Sequence, residues 1–309
     1  MVTLTQLKYI VSVCKEKHFG RAAEKCNVSQ PSLSTQIQKV EELLNIIIFD
    51  RSKKPIMTTE DGKVLIDKAK LILASVQDLE HTALNSNNVS GDFSLGVIPT
   101  LSPYLLPLFI ESFSKNYPDV KLKVYEFTTE EILKKLYDDE LDAGLLVTPL
   151  KDDKIIERAL FSELFYLYTS EGHSLSSKAS IDVTELNDRE DFWVLSEGHC
   201  FRDQIFNICN LKGKSKGKGI FFESGSLETI KNLIKKGSGI SVIPQLAAED
   251  VKNRVIPFNE PSPAREVGLV YSRSFLKEKV IDALEKEILA SLPKEIKNLK
   301  RGFQNIDFK

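Results

Sequence analysis

The sequence contains little of what marks a secreted or membrane-bound protein. Its 309 residues include only four cysteines, too few for a disulfide scaffold. No apolar run approaches the roughly 18 residues that a membrane span needs. The N-terminus also lacks the basic segment, apolar segment and small-residue cleavage site of a secretory signal. We therefore expect a cytoplasmic protein, in a reducing compartment where any disulfide would be transient and functional.

A strong net charge is also absent, but the charges are unevenly distributed. The formal net charge is −2, yet residues 1–60 contain nine Lys and Arg against six Asp and Glu, whereas the remainder contains 33 against 38. A small basic segment joined to a larger acidic one permits nucleic-acid binding by the first. The length favours two or three domains, and 42% hydrophobic with 28% charged residues is an ordinary globular balance.

Helical periodicity dominates the first sixty residues. The first helix has an apolar face formed by Leu7, Ile10, Val11 and Cys14. A second, short helix fits residues 20–26, with Ala22 and Ala23 as small packing residues. Ser29 can cap a third helix that has Pro31 in its first turn. The apolar stripe of this third helix consists of Leu33, Ile37, Val40 and Leu44.

The opposite face of the third helix is polar and has few acids. It carries Pro31, Thr35, Gln38 and Lys39, with Ser32 and Ser34 on its flanks. Such hydroxyls and amides can hydrogen-bond base edges in a major groove. Two short extended segments around a Lys-Lys-Pro tip then suggest a wing that contacts phosphates. The alternative is a small three-helix domain with a solvated polar face.

This segment resembles a known family. The resemblance lies in residues 19–24 (FGRAAE), 28–34 (VSQPSLS), 37, 41–43 and 49–51 (FDR). These resemble the winged helix-turn-helix of LysR-type transcriptional regulators. The resemblance implies that residues 1–60 bind double-stranded DNA through the Ser29–Lys39 helix, including Gln30, and through Arg51, Lys53 and Lys54 of the wing.

Residues 61–90 are predicted to form a linker helix. Residues 60–88 contain no proline, and their apolar residues alternate at spacings of four and three: Leu65, Ala69, Ile72, Val76, Leu79 and Ala83. This 3.5-residue period is typical of a dimeric coiled coil, which would suit an operator with two half-sites. The alternative is an amphipathic helix packed on its own domain. A polar segment at 85–88, followed by Gly91, would end the helix and form a hinge.

From residue 91 to 309, strand patterns alternate with helix patterns. The strand predictions are 93–98, 121–127, 143–147, 163–169, 192–195, 219–222, 240–243 and 267–271; the helix predictions are 104–115, 130–136, 227–236 and 275–292. Such alternation predicts an α/β fold with largely parallel sheets, in two subdomains with a cleft between them. Ligands of such sheets bind beyond the carboxyl ends of strands, where Thr100 lies. This agrees with the effector domain of LysR-type regulators, which is periplasmic-binding-protein-like.

The cysteines fall in two settings. Cys14 and Cys26 lie on apolar helix faces, and we interpret them as buried small hydrophobic residues. Cys200 and Cys209 bracket a polar segment, in which neighbouring cationic side chains and a helix start could lower the pKa of the Cys200 thiol. The residues alone leave three interpretations open: unpaired core thiols, a redox pair, or metal ligands. The Cys-x8-Cys spacing lacks the short paired spacings of zinc sites, which argues against metal.

The spacing of this second pair has a geometric consequence. If residues 200–209 form a helix, nine steps give about 13.5 Å of rise. A disulfide tolerates Cα separations only up to about 7 Å. Oxidation of the pair would therefore require the helix to unwind, which is a change that a sensor can use.

Residues 198–204 (GHCFRDQ), with Cys209 following, closely resemble the sensing segment of the hydrogen-peroxide-responsive members of the LysR family. Residues 96–107, 223–229, 237–244 and 265–271 agree with this, so the resemblance spans nearly the whole chain. It implies that peroxide oxidises Cys200 to a sulfenic acid, which Cys209 resolves to a disulfide. It also implies a peroxide pocket formed by Thr100, Thr129, His199, Asp203 and Arg265, in which Arg265 holds the thiolate. We assign Thr129 rather than Thr128 from its spacing to Glu126 and Leu133.

The sequence thus predicts a transcriptional activator that senses hydrogen peroxide, is not an enzyme, and uses neither cofactor nor metal. Its expected partners are an operator with repeated half-sites, hydrogen peroxide, RNA polymerase, a cellular dithiol reductant and further copies in a homodimer or homotetramer, with no membrane. We expect it in the bacterial cytoplasm, associated with the nucleoid. One alternative is a LysR-type regulator that binds an organic effector in the cleft. The other, a thiol peroxidase, would not need a DNA-binding domain.

Overall fold

The computed structural model describes residues 1–84, 89–187, 189, 191–196, 200–209, 225–237, 239–273, 277–299 and 302–306. The chain divides into two compact units. One comprises Met1–Asn88 and Ser274–Glu278, and the other Val89–Arg273 and Lys279–Lys309. The predictions made for residues 85–88, for His199 and for residues 219–222 lie outside the described residues.

The first unit begins with three helices and a two-stranded wing. These elements are α1 (Leu4–Glu16), α2 (Phe19–Lys25), α3 (Gln30–Leu44), β1 (Phe49–Asp50), β2 (Met57–Thr58) and α4 (Glu60–Leu84). The predicted cap of α3 is confirmed, since Ser29 accepts from the Ser32 amide. The structure adds a capping box of Thr3 and Gln6 at the start of α1. The antiparallel pair β1–β2 is the predicted wing.

The buried residues of this unit differ in part from the apolar faces that the sequence predicts for its helices. The buried face of α1 is Leu7, Ile10 and Val13, so Val11 and Cys14 are only half-buried. Cys26 is also half-buried, and the prediction of two buried cysteines is wrong. Leu44 is 40% exposed, because Ile48 and Phe49 close the core beside the end of α3.

Helix α4 is shared between two environments. Ile66 and Ala69 are buried in the first unit, where α4 packs on α1. Ala69 is therefore not part of an exposed seam in the single chain. Further along, Ile72 is 47% and Leu79 is 70% exposed. The predicted apolar repeat thus combines a domain-packing segment with an uncovered apolar segment.

The second unit contains a mixed eight-stranded sheet. Its strands are β3 (Gly91–Val97), β4 (Val120–Glu126), β5 (Ala143–Thr148), β6 (Ile155–Thr169), β7 (Ile240–Pro244), β8 (Val255–Pro257), β9 (Ser262–Ser272) and β10 (Phe303–Asn305). The order is β4-β3-β5-β9-β6-β7, with β10 on β9 and β8 on β6. Strands β3, β4 and β5 are mutually parallel, whereas β5–β9, β6–β9 and β6–β7 are antiparallel.

The expectation of largely parallel sheets is therefore wrong for the centre of this unit. The long strands β6 and β9 run antiparallel to each other, and β6 continues beyond β9 to pair with β7 and β8. They thereby join the two subdomains into one sheet path. The predicted strand at 192–195 is also wrong, since Phe192 forms only an isolated bridge with Ile240.

Helices pack on the sheet, and α5, α6, α8 and α9 correspond to the four that the sequence predicts in this unit. They are α5 (Ser102–Asn116), α6 (Thr129–Tyr137), α7 (Cys200–Cys209), α8 (Leu227–Lys235), α9 (Glu278–Ser291) and α10 (Lys294–Lys297), with 3₁₀ segments at Val183–Leu186 and Gln245–Arg254. Gly96 and Gly144 lie in register on β3 and β5. A Cβ at Gly144 would lie 2.5 Å from the Ile132 side chain. Glycine there lets α6 pack closely on the sheet.

The second subdomain has its own apolar core. Phe201, Ile205 and Ile208 of α7 pack in it with β6, β7 and α8. Helix α7 is therefore held by its buried face.

None of the helices in the described part of the chain has the length and apolar character of a membrane span.

Candidate functional site

The polar face of α3 is available to a partner. Every residue that the sequence assigns to DNA on this helix is exposed except Ser34, which is half-buried; these residues are Ser29, Gln30, Pro31, Ser32, Thr35, Gln38 and Lys39. Gln38 donates from Nε2 to Glu42 Oε1 at 3.0 Å. The wing residues Lys53 and Lys54 are also exposed.

Arg51 has a different environment from the other predicted DNA contacts. Its Nη1 donates to Ser34 Oγ and its Nη2 to Glu41 Oε2, both at 2.9 Å. The guanidinium also lies 5.0 Å from the centre of the Phe19 ring. The other oxygen of Glu41 accepts from the Ile48 and Phe49 amides. Arg51 therefore joins α3 to the start of the wing and is held by an acidic partner.

In the second unit, two threonines follow adjacent parallel strands at equivalent positions. Val97 of β3 pairs in register with Glu126 of β4. Thr100 and Thr129 each lie three residues beyond this pair. Both side chains are buried. The predicted pocket threonines thus lie at one carboxyl edge of the sheet, where ligands of such sheets bind.

The two neighbouring threonines at the start of α6 have different tasks. Thr128 is the N-cap: its Oγ1 accepts from the Glu131 amide, and its amide donates to Glu131 Oε2. Thr129 is 7% exposed, and its Oγ1 has no hydrogen-bond partner among the described residues. A buried hydroxyl of this kind normally has a partner. The geometry therefore favours Thr129 over Thr128 as the side chain that binds a small polar ligand.

Arg265 is the largest fully buried side chain in the described part of the protein. It lies on β9 opposite Glu163 of β6, and its Nε and Nη2 contact Glu163 Oε1 at 2.8 and 2.7 Å. Its Nη1 donates to Thr100 Oγ1 at 2.9 Å, and its Nη2 to the Thr100 carbonyl at 3.1 Å. The structure therefore brings two predicted pocket residues, Thr100 and Arg265, into direct contact.

Helix α7 connects the predicted cysteine pair to this cluster. It begins at Cys200 and ends at Cys209. The Phe201 ring, next in sequence to Cys200, is buried 5.7 Å from the Arg265 guanidinium. Because ten residues of continuous helix place the Cα atoms about 13.5 Å apart along the axis, a disulfide between these two residues requires α7 to unwind.

The remaining predicted pocket residues are not placed in this cluster. Asp203 lies in the first turn of α7 and is exposed. His199 lies outside the described residues, as do the side chains of Cys200 and Cys209. No group of three or more potential metal ligands was found among the described residues.

A second polar cluster joins α5 to α8. Tyr104 donates to Glu228 Oε1 at 2.6 Å, and the buried Lys231 donates to both Glu228 and Asp250 at 2.8 Å. The Lys231 ammonium also lies 4.9 Å from the centre of the Tyr104 ring. The pKa of Tyr104 is raised far above its usual range, mainly by burial of the phenol and secondly by its hydrogen bond to Glu228. Sequence reasoning did not identify this cluster.

Family comparison decides the classification of the chain. The LysR substrate binding domain profile matches residues 86–292. The profile of bacterial regulatory helix-turn-helix proteins of the lysR family matches residues 4–63. The chain belongs to the LysR family. The predicted family, and the predicted fold of a winged helix-turn-helix with an α/β regulatory domain, are confirmed.

Curated members of the LysR family resemble the chain along most of its length. A hydrogen peroxide-inducible genes activator from Haemophilus influenzae is 34% identical over 87% of this chain and 90% of its own. The DNA-binding transcriptional dual regulator OxyR of Escherichia coli is 33% identical over 87% and 89%. The resemblance to peroxide-responsive members of the family is thereby confirmed.

Solved structures of LysR-family proteins agree. A full-length OxyR variant from Pseudomonas aeruginosa matches with a TM-score of 0.74 at 34% identity, covering 94% of this chain and 99% of its own. A cysteine mutant of Corynebacterium glutamicum OxyR with H2O2 bound matches with a TM-score of 0.61 at 27% identity, covering 94% and 92%. These matches support the predicted role of a redox-responsive, DNA-binding regulator in this family.

Glu163 is the site residue that sequence reasoning missed most directly. It begins the predicted strand at 163–169, which is otherwise apolar and aromatic apart from Thr169. A lone carboxylate at the start of such a strand needs a buried partner, and this was the available signal. The partner, Arg265, is far away in sequence, so only the strand register brings the two together.

Proposed function

We propose that this LysR-family protein senses hydrogen peroxide through Cys200 and Cys209 and regulates transcription from the DNA that its N-terminal unit binds. The observation that carries the proposal is a single helix, α7, which begins at one cysteine and ends at the other. Phe201, which follows the first cysteine, lies against Arg265, and Arg265 donates to Thr100. The proposal assigns the thiol of Cys200 to the neighbourhood of this cation and hydroxyl.

The proposed chemistry has two balanced steps. The Cys200 thiolate attacks one peroxide oxygen, the O–O bond breaks, and the products are Cys200 sulfenic acid and hydroxide. The Cys209 thiolate then attacks the sulfenic sulfur, the S–S bond forms, and a second hydroxide leaves. The two hydroxides take up the two thiol protons, so two thiols and one peroxide give one disulfide and two waters. The second step requires α7 to unwind.

The pocket residues would support the first step in different ways. Because Thr100 Oγ1 accepts a hydrogen bond from Arg265, its own O–H is oriented to donate elsewhere, as to a peroxide oxygen. Thr129 supplies a second buried hydroxyl at the same sheet edge. Arg265 would stabilise the thiolate and the negative charge that develops on the departing oxygen. His199 and Asp203 complete the proposed pocket as further hydrogen-bonding groups.

The proposal extends to the partners. The exposed face of α3 and the lysines of the wing would contact double-stranded DNA with repeated half-sites. The exposed apolar residues of α4, Ile72 and Leu79, would join copies of the chain into dimers, which pair further into tetramers. Unwinding of α7 would change how RNA polymerase is recruited, and a cellular dithiol would reset the switch. The protein acts in the cytoplasm, near the nucleoid, and is a regulator without turnover as an enzyme.

Trapping of the sulfenic acid tests this chemistry. We expect Cys209→Ser to accumulate dimedone-labelled Cys200 after one equivalent of hydrogen peroxide, because the resolving thiol is missing. Cys200→Ser should give no label at Cys209 above the level found at Cys14 and Cys26. Peptide mass spectrometry of the full-length, reduced variants measures both outcomes.

The two half-buried cysteines of the first unit provide the matched control. Cys14→Ser and Cys26→Ser should leave labelling and disulfide formation at the level of the unchanged protein. Labelling of Cys14, Cys26 or Cys209 in Cys200→Ser that is as strong as the labelling of Cys200 in Cys209→Ser would refute the assignment of Cys200. The search would then turn to an organic effector bound at the sheet edge near Thr100.

A further inference from the structure

Arg265, which the proposed function places beside the reactive thiol, has a buried counter-ion. Glu163 and Arg265 are both fully buried. One carboxylate oxygen of Glu163 contacts both Nε and Nη2 of Arg265. The other oxygen accepts a hydrogen bond from the Leu246 amide at 2.8 Å. The carboxylate is therefore fixed from two sides.

The two members of this ion pair have different further contacts. Arg265 lies against Phe201 at the start of α7 and donates to Thr100. Glu163 is anchored instead to Leu246, at the beginning of the 3₁₀ segment that follows β7. Arg265 is thus the member of the pair that contacts the first turn of α7, and Glu163 compensates its charge.

The electrostatic effect of this ion pair on the Cys200 thiol depends on both of its charges. In a medium of low effective dielectric, a unit charge at roughly 10 Å changes an ionisation by about one pH unit. An arginine without a counter-ion would make the Cys200 thiol ionise at lower pH and react faster with any electrophile. A carboxylate paired with the arginine offsets part of this lowering of the pH at which the thiol ionises.

We infer that Glu163 is a positioning residue which orients Arg265 and limits its influence on Cys200, so that Glu163 sets the peroxide sensitivity of the switch. The inference rests on the proposed function and adds a residue to it. Further charged groups lie on the helix itself, at Arg202 and Asp203. The cluster of Glu228, Lys231 and Asp250 is also near, since its member Tyr104 interacts electrostatically with Arg265.

The substitution Glu163→Gln tests this role, because glutamine keeps the shape and one acceptor oxygen but removes the charge. The measurement is the rate of Cys200 alkylation by iodoacetamide as a function of pH, followed by peptide mass spectrometry on the full-length reduced protein. We expect the pH midpoint to fall by about one unit, with faster oxidation by hydrogen peroxide at neutral pH. An unchanged or higher midpoint would refute the inference.

Glu266→Gln is the matched control. Glu266 is the next residue on β9, so its side chain points to the opposite face, where it accepts from Thr148 Oγ1 at 2.7 Å. The substitution Glu266→Gln removes the same charge but leaves the contacts of Arg265 intact. We expect the pH midpoint of Cys200 alkylation to stay within about 0.3 units of the value for the unchanged protein. A shift equal to that of Glu163→Gln would mean that net charge, and not the buried pair, acts on the thiol.

The double variant Glu163→Gln with Arg265→Gln guards against misfolding of the single variant, since it buries no unpaired charge. We expect its midpoint to lie above that of the unchanged protein, because the positive charge that contacts the first turn of α7 is lost. A midpoint at or below the unchanged value would overturn the inference. If the unchanged protein itself forms no Cys200 sulfenic acid, the proposed function fails; if it does and only the midpoints disagree, Glu163 alone loses its assigned role.

Discussion

At the scale of single residues, the hydroxyl of Thr129 is one of three buried side-chain polar atoms that have no hydrogen-bond partner among the described residues. It lies at the start of α6 with no partner among the described residues. Burying an unpaired hydroxyl costs about 1–3 kcal/mol. A ligand that hydrogen-bonds to this hydroxyl would remove that cost.

We therefore expect opposite effects of Thr129→Val on stability and on function. Valine has nearly the same shape, so the free energy of unfolding should stay equal or rise by about 1 kcal/mol. The rate of Cys200 oxidation by hydrogen peroxide should fall about tenfold, the value of one lost hydrogen bond. Urea denaturation and stopped-flow oxidation measure the two quantities, and Thr129→Ser should restore the rate.

Thr128→Val is the control for this prediction. It removes the N-cap hydroxyl of α6, so it should cost about 1 kcal/mol of stability while leaving the oxidation rate unchanged. Equal oxidation rates for Thr129→Val and the unchanged protein would exclude Thr129 from the pocket.

At the scale of elements, the recognition helix and the wing are joined by Arg51. The sequence assigned this arginine to DNA together with Lys53 and Lys54, but in the structure it donates to Ser34 and Glu41. The two lysines form no ion pair among the described residues. Sequence position did not distinguish these roles, because the acid that holds Arg51 lies one helix earlier.

The dependence of DNA affinity on salt separates the two kinds of residue. Each phosphate contact contributes about 0.9 to the slope of log affinity against log salt. We expect Lys54→Ala to reduce the slope for a random-sequence duplex by about one, whereas Arg51→Gln should leave it unchanged. Fluorescence anisotropy at several salt concentrations measures the slopes. A larger reduction for Arg51→Gln than for Lys54→Ala would show that Arg51 leaves Glu41 to bind phosphate.

Local signals predicted the helices better than the strands. The capping residue Ser29 and the apolar repeat of α8 predict the ends of these helices within a few residues. Strand β6 begins at Ile155, eight residues before its predicted start, because its first half is only partly buried and breaks register at Ala159. Alternation weakens in such a strand. The antiparallel pairing of β6 with β9 depends on contacts far apart in sequence, which no local pattern contains.

The candidate site shows the same limit. Thr100 follows a clear strand, and the resemblance to the family supplied Arg265, so both could be assigned from the sequence. The contact between them, and the buried Glu163 behind them, required the sheet register. Lys231 was missed for a similar reason, because its partners Tyr104 and Asp250 lie on other elements.

At the scale of the whole molecule, the chain combines a DNA-binding unit with a regulatory unit, as the LysR family does. The proposed oxidation of Cys200 and Cys209 takes place in one helix of the regulatory unit. Helix α7 is held by Phe201, Ile205 and Ile208 in the core of the second subdomain. Forming the disulfide must therefore remove these side chains from the core or rearrange them, which couples a change at two sulfur atoms to the packing of a subdomain.

The most direct test of this account is the mapping of all four cysteines after a brief, stoichiometric dose of hydrogen peroxide. The reduced, full-length protein is oxidised, alkylated differentially and analysed by peptide mass spectrometry. The account predicts a rapid and selective disulfide between Cys200 and Cys209, with Cys14 and Cys26 still reduced. Slow oxidation, or oxidation spread evenly over the four cysteines, would contradict it.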